Sequence, residues 1–157
     1  MWAGSVVSIH LARVEGAPTF AVPEVRAVAG AGLEGDRNFQ PPGVDGPGPE
    51  REVTLIQQEA LDAVAREHGI QLAPGEHRRN LVTLGVPLND LVGQEFQVGS
   101  VRLLGLELCE PCNYLEGLTG KPGLLRALVH RGGLGARILD GGVLRVGDPV
   151  TGPRARG

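Results

Sequence analysis

Residues 95–108 read EFQVGSVRLLGLEL, two short apolar runs joined at a Gly-Ser pair. Runs of this length bounded by turn residues read as β-strands. The same texture extends outward in both directions. SVVSIHLARV (5–14) is β-branched and partly alternating, and EVTLIQ (52–57) and RRNLVTLG (78–85) are further strands. TFAVPEVRAV (19–28) is a strand interrupted at Pro23, a residue that belongs at an edge or a bulge. GARILDGGVLRVGDPV (135–150) predicts a hairpin, with Asp140-Gly141-Gly142 as its turn.

Helices are few. QEALDAVAREHG (58–69) places Ala60 and Val64 on one apolar face with Ile56, beside Leu61 and Ala65, and Gly69 suits the position after its end. PLNDLVG (87–93) is a short helical turn. KPGLLRALVHRGG (121–133) predicts a short helix with Pro122 in its first turn and a buried stripe of Leu124, Leu125, Leu128 and Val129. The count is six to eight strands and two or three helices, with no βαβ alternation. A mainly β fold follows, a β-barrel or curled sheet decorated with short helices.

The chain has 157 residues, which points to one domain over 1–157. A chain of that size buries about 70% of its unfolded surface, so its two cysteines are not needed as a staple. The 25 glycines and 12 prolines separate apolar runs and read as turns. QPPGVDGPGPE (40–50) is expected to be a mobile surface loop, and the tail after Val150 to be frayed. The net charge of −3 argues against a protein whose task is gripping a nucleic-acid backbone. No apolar run approaches the ~20 residues that cross a bilayer. The opening MWAGSVVSIHLARVEG lacks a basic n-region, so a cytoplasmic protein with reduced thiols is expected.

The strand 101–108 runs into CEPC (109–112), which holds both cysteines, Cys109 and Cys112. Four readings compete. A disulfide closing so small a loop adds little in a reducing compartment. A structural zinc site needs a second closely spaced ligand pair, and His10, His68, His77 and His130 form none. A thioredoxin-like pair must open a helix, whereas NYLEGLTG (113–120) is broken by glycine. The last reading is a reactive thiol on a loop at a strand end, with a cationic partner among Arg37, Arg78, Arg79, Lys121 and Arg131. Cys109 taken alone reads as a small buried hydrophobe. His77 and His130 read as surface residues, and Arg131 equally as a charge at a helix C-terminus. Neighbours on a strand point to opposite faces, so one of Arg78 and Arg79 is solvated. Arg78, sharing parity with Asn80, is expected to be the inward one.

Five segments in order are GLEGDRNF (32–39), EVTLIQQEAL (52–61), RRNLVTLG (78–85), LVGQEFQVGSVRLLGLELCEPC (91–112) and ILDGGVLRVGDPV (138–150). Together they resemble the MOSC domain, found at the C-terminus of molybdenum-cofactor sulfurases and also as small stand-alone bacterial proteins. The likeness runs from about residue 5 to 151. It implies a β-barrel and a site built around one cysteine that ligates molybdenum or carries sulfur. By motif position that residue is Cys112. Arg37, Arg78 and Asn80 match the family's motif arginines and asparagine, and Arg79 and Cys109 are their neighbours. Family members often carry His where this chain has Asn38.

The implied ligand is the molybdenum cofactor (molybdopterin), an anion with a dithiolene and a phosphate tail. Arg forks onto phosphate and planar acceptors, a thiolate suits a soft metal, and Asn offers both donor and acceptor to a pterin edge. The resemblance implies a reductase acting on a small N-hydroxylated substrate, such as a hydroxylamino-purine or amidoxime. Electrons would come from a separate donor protein, since the chain lacks flavin and nucleotide fingerprints and has too few cysteines for an iron–sulfur cluster. The alternatives are a sulfur carrier holding a persulfide on Cys112 and served by a sulfur donor, a cofactor carrier without turnover, and a structural barrel.

Overall fold

The computed structural model describes residues 2–41, 51–109 and 119–152. Cys112 therefore lies outside the described residues, as do most of the 40–50 loop and the tail from 153.

The barrel wall is built from β1 (Ala3–Leu11), β5 (Val53–Gln57), β6 (Leu81–Leu84), β7 (Glu95–Val98), β8 (Val101–Leu108), β9 (Leu134–Asp140) and β11 (Pro149–Thr151). They run in the order β11-β7-β8-β9-β5-β6-β1, and β1 pairs back to β11. Closure leaves this wall without free edges. The short β2 (Phe20–Val22) continues beyond β1, while β3 (Glu24–Val28), β4 (Gly32–Leu33) and β10 (Gly142–Arg145) form a separate three-stranded sheet. The mainly β barrel expected from the sequence is thus present.

The sequence of β5 and β6 explains how two cores share one wall. Successive side chains on a strand face opposite ways. Leu55 and Leu81 enter the barrel core with Ile9, Leu103, Leu134 and Ile138. Their neighbours Ile56 and Val82 join an outer core with Val64, Leu124 and Leu128. Being covered on both faces, β5 is buried without a break from Val53 to Ile56, Thr54 included. Its cover is α1 (Gln58–His68), which buries Ala60 and Val64 and ends on Gly69 in the left-handed conformation at φ 67°. Each fully buried Val or Leu in this layer contributes roughly 1.5–3 kcal/mol of burial.

Four expectations are corrected. Helix α1 joins β5 to β6, and these strands pair in parallel, Leu55 opposite Leu81. This is a βαβ crossover that the local pattern did not reveal. The run 135–150 is not a hairpin: β9 is flanked by β5 and β8, so β10 finds its partner in β3 instead. Asp140-Gly141-Gly142 carries the chain from one sheet to the other. The interruption at Pro23 separates two strands of different sheets, and the Pro23 carbonyl accepts the Val146 amide. Finally, the helix after Pro122 is only α2 (Leu124–Ala127), preceded by Gly123 at φ 88°. Ala127 completes its buried face, and Val129 is exposed.

Candidate anion-binding cleft

The turn before β6 organises the site. RRN was read as the start of a strand, but Arg78 has φ 62° and the strand begins at Leu81. Arg78 lies outside the strand, so strand parity does not set its direction. Arg78 is nonetheless buried: its Nη1 donates to the Ala17 carbonyl at 2.7 Å, and its own carbonyl accepts from Arg37 Nη2 at 3.0 Å. It borders a smaller cavity of about 210 Å³ with Thr19 and Glu76.

Asn80 is 1% exposed and ties three strands together. Its Oδ1 accepts from the amide and the hydroxyl of Thr54 at 3.0 and 3.1 Å, and its Nδ2 donates to the His10 carbonyl at 3.1 Å. The amide is already engaged with β5 and β1, so it acts by fixing the turn that carries Arg78 and Arg79.

Arg37 follows a tight turn. The Asp36 carboxylate accepts from the Ala12 amide at 3.0 Å, from Arg37 Nη1 at 3.3 Å and from the Asn38 amide at 3.4 Å. Asp36 and Arg37 do pair beside the turn, and the Arg37 side chain, only 10% exposed, also lies 3.8 Å from the Glu15 carboxylate. It lines a cleft of about 650 Å³ together with Asn38, Phe39, Gln40, Arg51, Thr54 and Arg79. The size is that of a small-ligand site. Three of the described lining residues are arginines and none is a carboxylate, in a chain with a net charge of −3. Guanidinium groups stay protonated and present forked donors, so the cleft suits an oxyanion.

The structure brings Arg37 and Arg79 to this cleft and leaves Arg78 and Asn80 behind it. Arg79 Nε donates to the Gly132 carbonyl at 2.8 Å, and the Cys109 amide donates to the Gly133 carbonyl at 2.8 Å. Cys109, fully buried, is thereby tied to the same Gly132-Gly133 pair that holds Arg79. Two other cations considered from the sequence are used elsewhere. Lys121 pairs with Glu76 at 3.5 Å; Arg131 pairs with Glu67 at 2.9 Å and donates to the Ala127 carbonyl at the end of α2. Sequence reasoning missed Arg51 and Thr54. Their only local signal is position, just before and just inside the start of β5, and the partners that orient them lie 56 and 26 residues away.

The histidines form a second environment. His77, expected at the surface, is 3% exposed and meets the His10 ring edge-on at 5.0 Å. Burial pushes His77 down to about 3, with His10 and Arg79 adding to the shift. Burial also lowers His10, whose Nε2 lies 2.8 Å from the Ser8 hydroxyl. His77 Nδ1 accepts the Arg79 amide at 2.9 Å, so the ring's proton is assigned to Nε2. Both histidines line a cleft of about 520 Å³ with Gln58, Asp62 and Gln71. Among the described residues, no three His, Cys, Asp or Glu side chains cluster as a metal site. No described helix is long and apolar enough to cross a membrane.

Residues 42–151 match the family model described as the MOSC domain. Among solved structures the chain is similar to the YuaD protein from Bacillus subtilis, at 18% identity and a TM-score of 0.80, over 96% of this chain and 97% of that one. It is similar to YiiM from Geobacillus stearothermophilus at 18% identity and a TM-score of 0.73, over 96% and 75% of the two chains. YiiM from Escherichia coli aligns at 19% identity and a TM-score of 0.68, over 100% and 72%. At these identities the likeness is one of fold. No curated protein matches the sequence.

Proposed function

The chain belongs to the MOSC domain family, and from that premise we propose that it binds the molybdenum cofactor in the arginine cleft, with Cys112 as the thiolate ligand. The family is associated with this cofactor, and the observation that carries the reading is the cleft of Arg37, Arg51 and Arg79 in an otherwise acidic chain. The residues present fit the group: a pterin with a phosphate tail needs forked cationic donors, and the lining supplies them. Arg37 and Arg79 would hold it, positioned by Asp36 and by the Gly132 carbonyl. Cys112 follows Cys109 by three residues, so chain length alone keeps its Cα within about 11 Å of that of Cys109.

When bound, the cofactor supplies oxygen-atom and electron chemistry, here the reduction of a small N-hydroxylated substrate with electrons from a separate redox protein. The chain's own part is to bind, orient and compensate charge. A reducing compartment such as the cytoplasm would keep the Cys112 thiol available. The test is expression in a cofactor-producing host, followed by metal analysis and pterin fluorescence after oxidation. Molybdenum and pterin are expected together, both falling in Arg37→Ala and Arg79→Ala. Cys112→Ser is expected to abolish reductase activity, and Cys109→Ser to leave most of it. Purified protein carrying neither molybdenum nor pterin overturns the reading.

A further inference from the structure

Arg51 is held in an unusual way. Thr54 of β5 lies opposite Gly135 of β9, and Gly135 lies opposite Glu107 of β8. These residues form one row across three strands. A Cβ on Gly135 would come within 2.9 Å of Arg51 Cδ and 3.1 Å of its Nε. The absence of a side chain there lets the Arg51 stem lie along the sheet. Its Nε reaches Glu107 Oε1 at 3.1 Å, while the residue still lines the arginine cleft. The pair is part-exposed, at 34% for the Arg51 side chain and 56% for that of Glu107. Such a pair is weak enough to be exchanged for a stronger anion.

We infer that Arg51 is the phosphate-binding residue of this cleft and that Glu107 is an internal competitor that sets its affinity. The inference rests on the reading that the cleft takes an anionic ligand, and adds which group is recognised and how tightly. A tetrahedral phosphate dianion accepts both prongs of a guanidinium, and Thr54 of the same row borders the space it would enter. Glu107, carrying one charge and half in solvent, gives way to it. Gly135 is the specificity device: it keeps Arg51 laid flat between the cleft and its competitor.

The full chain is titrated with inorganic phosphate, with acetate as a planar monoanion control, and followed by amide and arginine Nε NMR shifts. Phosphate is expected to bind more tightly than acetate. Arg51→Ala is expected to weaken phosphate about tenfold, the loss of one charge-assisted fork. Glu107→Gln is expected to tighten it by up to about fivefold, the range of an exposed pair. In the Arg51→Ala/Glu107→Gln double variant that gain disappears, and Gly135→Ala behaves like Arg51→Ala. Arg51→Lys, which keeps the charge and loses the fork, gives an intermediate value and stands in if Arg51→Ala fails to fold. Unchanged phosphate binding in the Arg51 variants, or a Glu107→Gln gain that persists without Arg51, overturns the inference while leaving the cofactor reading intact. Absence of phosphate shifts in the unaltered chain overturns the inference, and loss of cofactor loading separately overturns the cofactor reading.

Discussion

The turn at 75–80 contributes to two clefts that handle charge in opposite ways. One receives Arg79, beside Arg37 and Arg51; the other receives His77, beside His10 and Ser8. Two residues apart in sequence, Arg79 keeps its charge and His77 loses it. The physical reason is the cost of burying charge. A guanidinium at the rim keeps water on part of its surface and finds carbonyls such as that of Gly132. An imidazole sealed beneath the turn has its charged form penalised and stays neutral. The shared strut is Asn80, which fixes the turn against β1 and β5 and so holds the two environments apart.

The largest effect should come from removing that strut. Asn80→Ala leaves the Thr54 amide and the His10 carbonyl without their buried partner, which costs about 3 kcal/mol. Urea unfolding followed by circular dichroism should show the loss. A change below about 1 kcal/mol breaks the claim that one amide separates the two clefts.

The next effect is one of pH. The folded His77 lies at about 3 against 6.5 for the free side chain. Below 6.5 the unfolded chain takes up a proton that the folded chain refuses. Stability is therefore full above that value and falls as the pH drops toward 3. Between pH 6.5 and about pH 5 the fall is about 2 kcal/mol. His77→Asn keeps an acceptor for the Arg79 amide and removes the titration. Its unfolding free energy should have a flatter acid limb, and an unchanged limb would show that another group carries the pH dependence.

These two regions were not equally legible. The barrel wall could be read because strands announce themselves locally, by apolar runs such as 95–108 between turn residues. Arg37 was named through the family resemblance, as the arginine of the GDR motif (35–37). What could not be read was set by distant parts of the chain. The parallel pairing of Leu55 with Leu81 spans a whole helix. The Asp140-Gly141-Gly142 turn has a hairpin's chemistry, but the neighbours of β9 were already β5 and β8. Arg78 was placed by strand parity and sits at φ 62° instead, so the cleft took Arg79. His77 carries no apolar neighbours in HRRN to predict its burial; its ring packs against that of His10, on the distant strand β1.

A more moderate effect sharpens the cationic side. Arg79→Ala removes one guanidinium from the cleft and one bond to the Gly132 carbonyl. Stability should fall by about 1 kcal/mol, the net value of one such hydrogen bond, while anion binding falls by about tenfold at every pH tested. The pH independence is what separates it from His77→Asn. If anion binding by Arg79→Ala instead recovered at low pH, the histidine would be the cleft's cation.

The smallest effect tests whether the clefts are separate at all. Asp62 borders the histidine cleft from the exposed face of α1, and its Oδ1 accepts from Gln58 Nε2 at 2.9 Å. Asp62→Asn removes a negative charge from the molecule without touching the arginine cleft. Exposed substitutions of this kind change stability by about 0.5 kcal/mol or less. If the arginine cleft responds to its own row of Thr54, Gly135 and Glu107, phosphate affinity should be the same in Asp62→Asn as in the unaltered chain. Glu107→Gln removes the same charge and should tighten binding. Equal tightening in both variants would mean that net charge, not the Arg51–Glu107 contact, governs the cleft, and the contrast between a locally built anion site and a neutral one would fall.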